Sequence, residues 1–220
     1  MAGKTSKVHL WKSPRRLAGV VTTVMAVNLA VTLSLVVILL AFGTASDYAG
    51  VTRPSPVQWL RLLLDIARLL VLLAAISSLF WIYRVSANAH TFRSNLSVSP
   101  WGAILWYLVP IAALYKPYQA MSETWRASES SGAGAANPPL PLWWGLFLLH
   151  NVLGSMQTVF KPLARSIPLL VAYDITGVAV TVLFVLIVRR ITAMQTLKHM
   201  VEPFGDAAPA AAGGLERFLR

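Results

Sequence analysis

Leu17 to Ser46 form a run of thirty residues in which no side chain carries a charge, and Asn28 is the only strongly polar one. A bilayer core is about 30 Å thick and is crossed by about 20 predominantly apolar residues in an α-helix, which satisfies its own backbone. The run is far longer than the ~7–15-residue apolar core of a signal peptide. It therefore reads as an uncleaved first span over about residues 17–42, preceded by a basic segment 1–16 with Lys4, Lys7, Lys12, Arg15 and Arg16.

Three further apolar runs suggest spans at about 59–83, 142–160 and 167–188. Composition agrees. Of the 220 residues 56% are apolar and 12% charged, about half the charge of a soluble domain. The expected fold class is an all-α membrane protein, a helical bundle in one domain over residues 17–198. With no cysteine, thiol catalysis, disulfides and Cys-ligated metals are excluded. The net charge of +11 points to anionic headgroups at the cytoplasmic face of a membrane rather than to nucleic acid, because no basic patch interleaved with aromatics lies in a foldable soluble segment.

Residues 98–115 are uncharged but carry Pro110 near their middle. Charge counting separates two topologies. If this segment spans, giving five spans, basic residues divide nine to ten and show no bias. If it is a re-entrant or interfacial element, giving four spans, the N-terminus, residues 84–141 and the C-terminal tail share one side with 14 basic residues against five. The positive-inside rule favours the second arrangement, with both termini cytoplasmic in the inner cell membrane. Residues 129–141 read as a flexible linker and 199–220 as a mostly disordered tail. Trp59, Trp81, Trp101, Trp143 and Trp144 fall at the expected helix ends, where tryptophan favours the headgroup level.

Arg61, Asp65 and Arg68 lie four and three residues apart, on one face of the second span. In the four-span arrangement Arg68 and Asp174 lie nine and seven residues past Trp59 and Ile167, at similar depth given a rise of ~1.5 Å per residue. An interhelical Arg68–Asp174 ion pair is one expectation. A bond from Arg68 to Asp65 on its own helix is the other. His150-Asn151 is the remaining polar pair within a span, expected as a helix–helix hydrogen bond.

The stretch Trp81-Ile82-Tyr83-Arg84, Asn88, Ser99-Pro100-Trp101, then Trp106-Tyr107-Leu108-Val109-Pro110-Ile111-Ala112-Ala113-Leu114-Tyr115-Lys116-Pro117-Tyr118-Gln119-Ala120-Met121, Glu123-Thr124-Trp125-Arg126 and Leu142-Trp143-Trp144 resembles the bacterial domain-of-unknown-function family 4328. The resemblance implies a multi-pass membrane protein and no particular activity. Ala113 stands where members often carry Asn, and Asn95 stands near a position where they often carry Gly. Physically, Pro110 and Pro117 interrupt backbone bonding twice, and Lys116 can snorkel to phosphate. Arg84, Asn88, Pro110, Lys116, Pro117 and Tyr118 are thus a candidate interfacial motif, with Arg84, Asn88 and Glu123 placed to bond its freed backbone groups.

His9, His90, His150 and His199 lack zinc-protease spacing, and no phosphate-binding glycine loop or nucleophile elbow is present. The expectation is a non-catalytic structural protein, without cofactor or metal, that interacts with lipid or a partner. The alternatives are a small transporter or channel with a polar path at Arg68, His150 and Asp174 and, less favoured, a lipid-modifying enzyme. A protein partner or a second copy of the chain is left open.

Overall fold

A computed structural model describes residues 10–42, 56–129, 139–160 and 167–205. Every regular element among them is helical: α1 (Arg15–Phe42), α2 (Pro56–Phe92), α3 (Gly102–Leu105), two 3₁₀ turns (Trp106–Leu108 and Ala112–Leu114), α4 (Lys116–Ser128), α5 (Leu140–Val159) and α6 (Ile167–Gly205). Three helices are long and apolar enough to cross a membrane, within Arg15–Ile38, Leu62–Phe92 and Pro168–Val201. Helix α5 has the length, at 20 residues, but its apolar run is diluted by His150, Asn151 and Gln157.

The chain divides into two compact units. One contains residues 16–81 and 145–185, hence nearly all of α1, the first part of α2, most of α5 and the first part of α6. The sequence of α1 is rich in Val and Thr, which are weak helix formers in water. In hydrocarbon the choice is made instead by the need to bond every amide within the segment. Val20, Val27, Leu33 and Val37 of α1, Leu69, Leu72, Leu73 and Phe80 of α2, and Ile175 and Val182 of α6 are all exposed. Apolar surface on that scale marks a membrane or protein-interaction face. Trp81 and Phe184 meet edge to face, their ring centroids 5.8 Å apart.

The other unit contains residues 10–15, 82–144 and the chain from 186 onward. Its helical parts each bury one face. Ile82, Val85, Ser86 and Ala89 are buried on α2, Ala120, Met121, Thr124, Trp125 and Ser128 on α4, and Ile187, Val188, Ile191, Thr192 and Gln195 on α6. Helix α4 starts at Lys116-Pro117, where proline's fixed φ suits the first turn and its missing N–H costs nothing.

Several boundaries correct the sequence expectations. Helix α2 runs nine residues past the expected end at Tyr83. Helix α6 runs past Val188 through Gly205, so residues 199–205 of the expected tail are helical. In both cases the helix continues because an apolar stripe persists on one face after the all-round apolarity of a span has ended. Residues 206–220, most of the 129–141 linker and the 1–9 part of the N-terminus lie outside the described residues. Residues 98–115, expected either to span or to turn back, form no single helix. Pro110 supplies no amide hydrogen and holds Val109 extended at φ −101°, ψ 108°, so the segment breaks into short turns. Trp81, Trp143 and Trp144 are buried within protein, whereas Trp101 is exposed.

Candidate functional site

Glu123 anchors the chain that leads into the broken segment. Its carboxylate accepts hydrogen bonds from the backbone amides of Ser97 (2.9 Å) and Val98 (3.1 Å), from the Ser97 hydroxyl and from Gln119 Nε2 at 3.0 Å. Partial burial raises its pKa, but these four bonds favour the charged form more strongly and hold it below its ordinary value. His90 Nε2 lies 3.0 Å from the Val98 carbonyl, tying the same turn to α2. Ser99 Oγ then accepts from the Gly102 amide at 3.0 Å. A Cβ at Gly102 would approach that hydroxyl and Trp106 Nε1 to 3.1 Å each, so the close turn favours glycine. Trp144 Nε1 donates to the Leu114 carbonyl at 2.9 Å, fixing the far end.

Held at both ends, the segment turns its apolar side chains outward. Leu108 and Ile111 are 78% and 79% exposed, and Trp101, Leu105, Val109, Leu114 and Tyr115 are exposed beside them. Of the candidate interfacial motif, Pro110 is exposed, Pro117 is buried, and Lys116 and Tyr118 are half-buried. Lys116 Nζ bonds Gln119 Oε1 at 3.0 Å and lies 5.4 Å from the centre of the Tyr115 ring. Arg84 is half-buried one turn before Asn88.

Asn88 does not serve the broken segment, and here the structure corrects the sequence reading. It is fully buried and clamps the backbone of Lys12. Its Oδ1 accepts from the Lys12 amide (3.2 Å), and its Nδ2 donates to the Lys12 carbonyl (2.9 Å) and to Gln195 Oε1 (3.1 Å). Gln195 Nε2 donates in turn to the Val85 carbonyl (2.8 Å) and to Ser128 Oγ (3.1 Å). Lys198 Nζ donates to the carbonyls of Ala127 (2.8 Å) and Glu129 (3.1 Å) at the end of α4, where a cation complements the helix dipole. Trp11 stacks on His199 with ring centroids 3.7 Å apart. Gln195 and Lys198 were missed because their stretch reads as the polar end of a span. The available signal was the continued apolar spacing Ile187, Val188, Ile191.

The unit of residues 16–81 and 145–185 contains a cavity of about 530 Å³. Asn28 from α1, His150 and Asn151 from α5, and Asp174 from α6 supply much of its polar lining, with Met25, Leu29 and Val71 among its apolar walls. His150 Nδ1 lies 3.2 Å from the Tyr173 carbonyl and 3.3 Å from Thr176 Oγ1, and its ring stacks on Tyr173 at 4.1 Å. Asn151 Nδ2 bonds the Phe147 carbonyl of its own helix at 2.7 Å, so only His150 makes the expected helix–helix bond. The Arg68–Asp174 pair does not form. Arg68 bonds Asp65 at 2.7 Å, and both side chains are exposed. The reason is geometric: a partner three residues away on one helix is within reach without ordering two long side chains across a bundle.

No group of His, Asp and Glu suited to a metal ion occurs among the described residues. Comparison with curated proteins and with solved structures gives no match. The family model described as Domain of unknown function (DUF4328) matches residues 55–193, covering the broken segment, its anchors and most of the cavity wall, and the chain belongs to that family.

Proposed function

We propose that the chain is a multi-pass protein of the inner cell membrane that acts without catalysis, as a structural, lipid-interacting element. The observation that carries this reading is the outward apolar and aromatic face of residues 101–115, in a segment too broken to cross a bilayer and tethered at both ends. Such a face, with Lys116 at its edge, suits insertion to headgroup depth, with the ammonium reaching anionic phosphate. The proposal includes no cofactor.

The contacts of Asn88 and Lys198 support four spans. Residues 12, 88, 128 and 195 are joined by hydrogen bonds, so the chain leaves and returns to one side between residues 12 and 88, and again between 128 and 195. If α6 crosses, something between 129 and 167 must cross in the other direction. Helix α5, with 20 residues and a length of about 30 Å, is the described candidate. The positive-inside rule makes the shared side cytoplasmic.

The test uses single cysteines in this cysteine-free chain. An environment-sensitive fluorophore at Leu108→Cys should be quenched by lipids labelled near the headgroup and not by lipids labelled at the chain end. Membrane-impermeant reagents should reach Gly134→Cys only in inverted vesicles. A Leu108 probe that no lipid quenches, or Gly134→Cys labelled in intact cells, would refute the reading. The cavity favours a second reading, a small transporter. Its polar path would run through His150 and Asp174 and would not include Arg68, which is held by Asp65.

A further inference from the structure

The cavity between α1, α2, α5 and α6 has a volume of about 530 Å³, within the range of small-molecule sites. Its one formally charged lining group is the Asp174 carboxylate. The Tyr173 carbonyl can only accept, and the Thr176 hydroxyl already donates to the carbonyls of Ala172 and Tyr173, each at 2.9 Å. His150 Nδ1, facing both oxygens, therefore carries the ring's proton, which leaves Nε2 with a lone pair in the neutral ring. Asn151 uses one amide hydrogen on the Phe147 carbonyl and keeps its oxygen. Asn28 Oδ1 is buried with no hydrogen-bond partner. Asp174 belongs to no ion pair among the described residues, and no lysine or arginine lines the cavity.

The site thus offers a carboxylate, an imidazole lone pair and amide oxygens, beside apolar walls. An ammonium group has three donors and no acceptor and complements this set, whereas an anion would meet the like charge of Asp174 with no lysine or arginine to offset it. We propose that the cavity binds an amphiphilic primary ammonium ion, its head at Asp174 and its alkyl part against Met25, Leu29 and Val71. The same chemistry is found in a free amine and in an ethanolamine lipid headgroup. The inference is independent of the interfacial reading of residues 101–115.

The test is calorimetric titration of the full chain in phosphatidylglycerol nanodiscs with n-hexylammonium, hexanol and hexanoate. The ammonium should bind, and the other two should bind at least about tenfold more weakly, a 1.4 kcal/mol difference. Asp174→Asn should lose at least about tenfold in ammonium affinity while Asp174→Glu retains it. Where Asp174→Asn fails to accumulate, Ala75→Phe, which fills the cavity from α2, should abolish binding at an unchanged charge. Absence of ammonium binding, equal binding of hexanoate, or affinity unaffected by both Asp174→Asn and Ala75→Phe would overturn the proposal. Repetition in phosphatidylethanolamine discs separates the two sources. Loss of hexylammonium binding there assigns the site to a lipid headgroup, and persistence assigns it to a soluble amine.

Discussion

Replacing Asn88 by alanine should release the N-terminal segment from its unit. The side chain makes three hydrogen bonds, two to the Lys12 backbone and one to Gln195, and is fully buried. At about 1–1.5 kcal/mol net per bond, its removal costs about 3–4 kcal/mol. That cost falls first on the Lys12 amide, whose acceptor disappears. Hydrogen exchange followed by mass spectrometry on the detergent-solubilised protein should show the Lys12 amide exchanging at least about 100-fold faster, as expected for ~3 kcal/mol. Amides in the first part of α1, which belongs to the other unit, should change little. Gln195→Ala removes the shared bond too, so the double variant should be destabilised by less than the sum of the two single variants, by about 1 kcal/mol. An unchanged Lys12 exchange rate, or strict additivity, would refute the idea that Asn88 and Gln195 form one network.

The pH dependence of the Glu123 anchor has a defined sign. Its carboxyl is held below the ordinary 4.5, so its stabilising contribution is complete above that value and is lost as pH falls below it, through the folded-state pKa. Protection of the Ser97 and Val98 amides should fall over that acidic window, and Glu123→Gln should abolish the dependence. Gly177→Ala would place a Cβ 3.0 Å from His150 Cε1. The ring is stacked on Tyr173 and bonded through Nδ1, so crowding should outweigh the gain in helix propensity and lower stability by about 1 kcal/mol, read as a lower melting temperature. Asp65→Asn combined with Arg68→Gln should leave the melting temperature nearly unchanged, since an exposed pair on one helix contributes little. A large loss would mean that Arg68 has a partner elsewhere in the bundle. Trp144→Phe should cost about 1 kcal/mol and increase exchange around Leu114.

The three helices long and apolar enough to cross a membrane were legible because charge-free runs of spanning length have few other solutions, and α1 starts within two residues of the expected position. The break at Pro110 was legible for the same elementary reason, a missing donor. The extensions of α2 and α6 were not. Hydropathy falls where the surroundings of a helix change from lipid to protein, and the fall resembles a helix end unless the spacing of Ile187, Val188 and Ile191 is followed further. The role of Asn88 was hidden because its partners Lys12 and Gln195 lie 76 and 107 residues away, and nothing local in the sequence names them. The ion pair was misjudged because depth matching sets only the height of two residues along their helices. Which way each side chain faces around its helix is a separate matter, and Asp65 was already within reach of Arg68.

The amides that join Lys12, Asn88, Ser128 and Gln195 carry no formal charge. Ionic strength and mild changes of pH act on that joint only weakly, whereas a lysine attracted to phosphate weakens as salt rises. Concentrated salt should therefore loosen the proposed hold of Lys116 on the leaflet surface while leaving the knot of side-chain amides tied, so that washing membranes in brine would strip electrostatic attachments and spare the protein's own architecture.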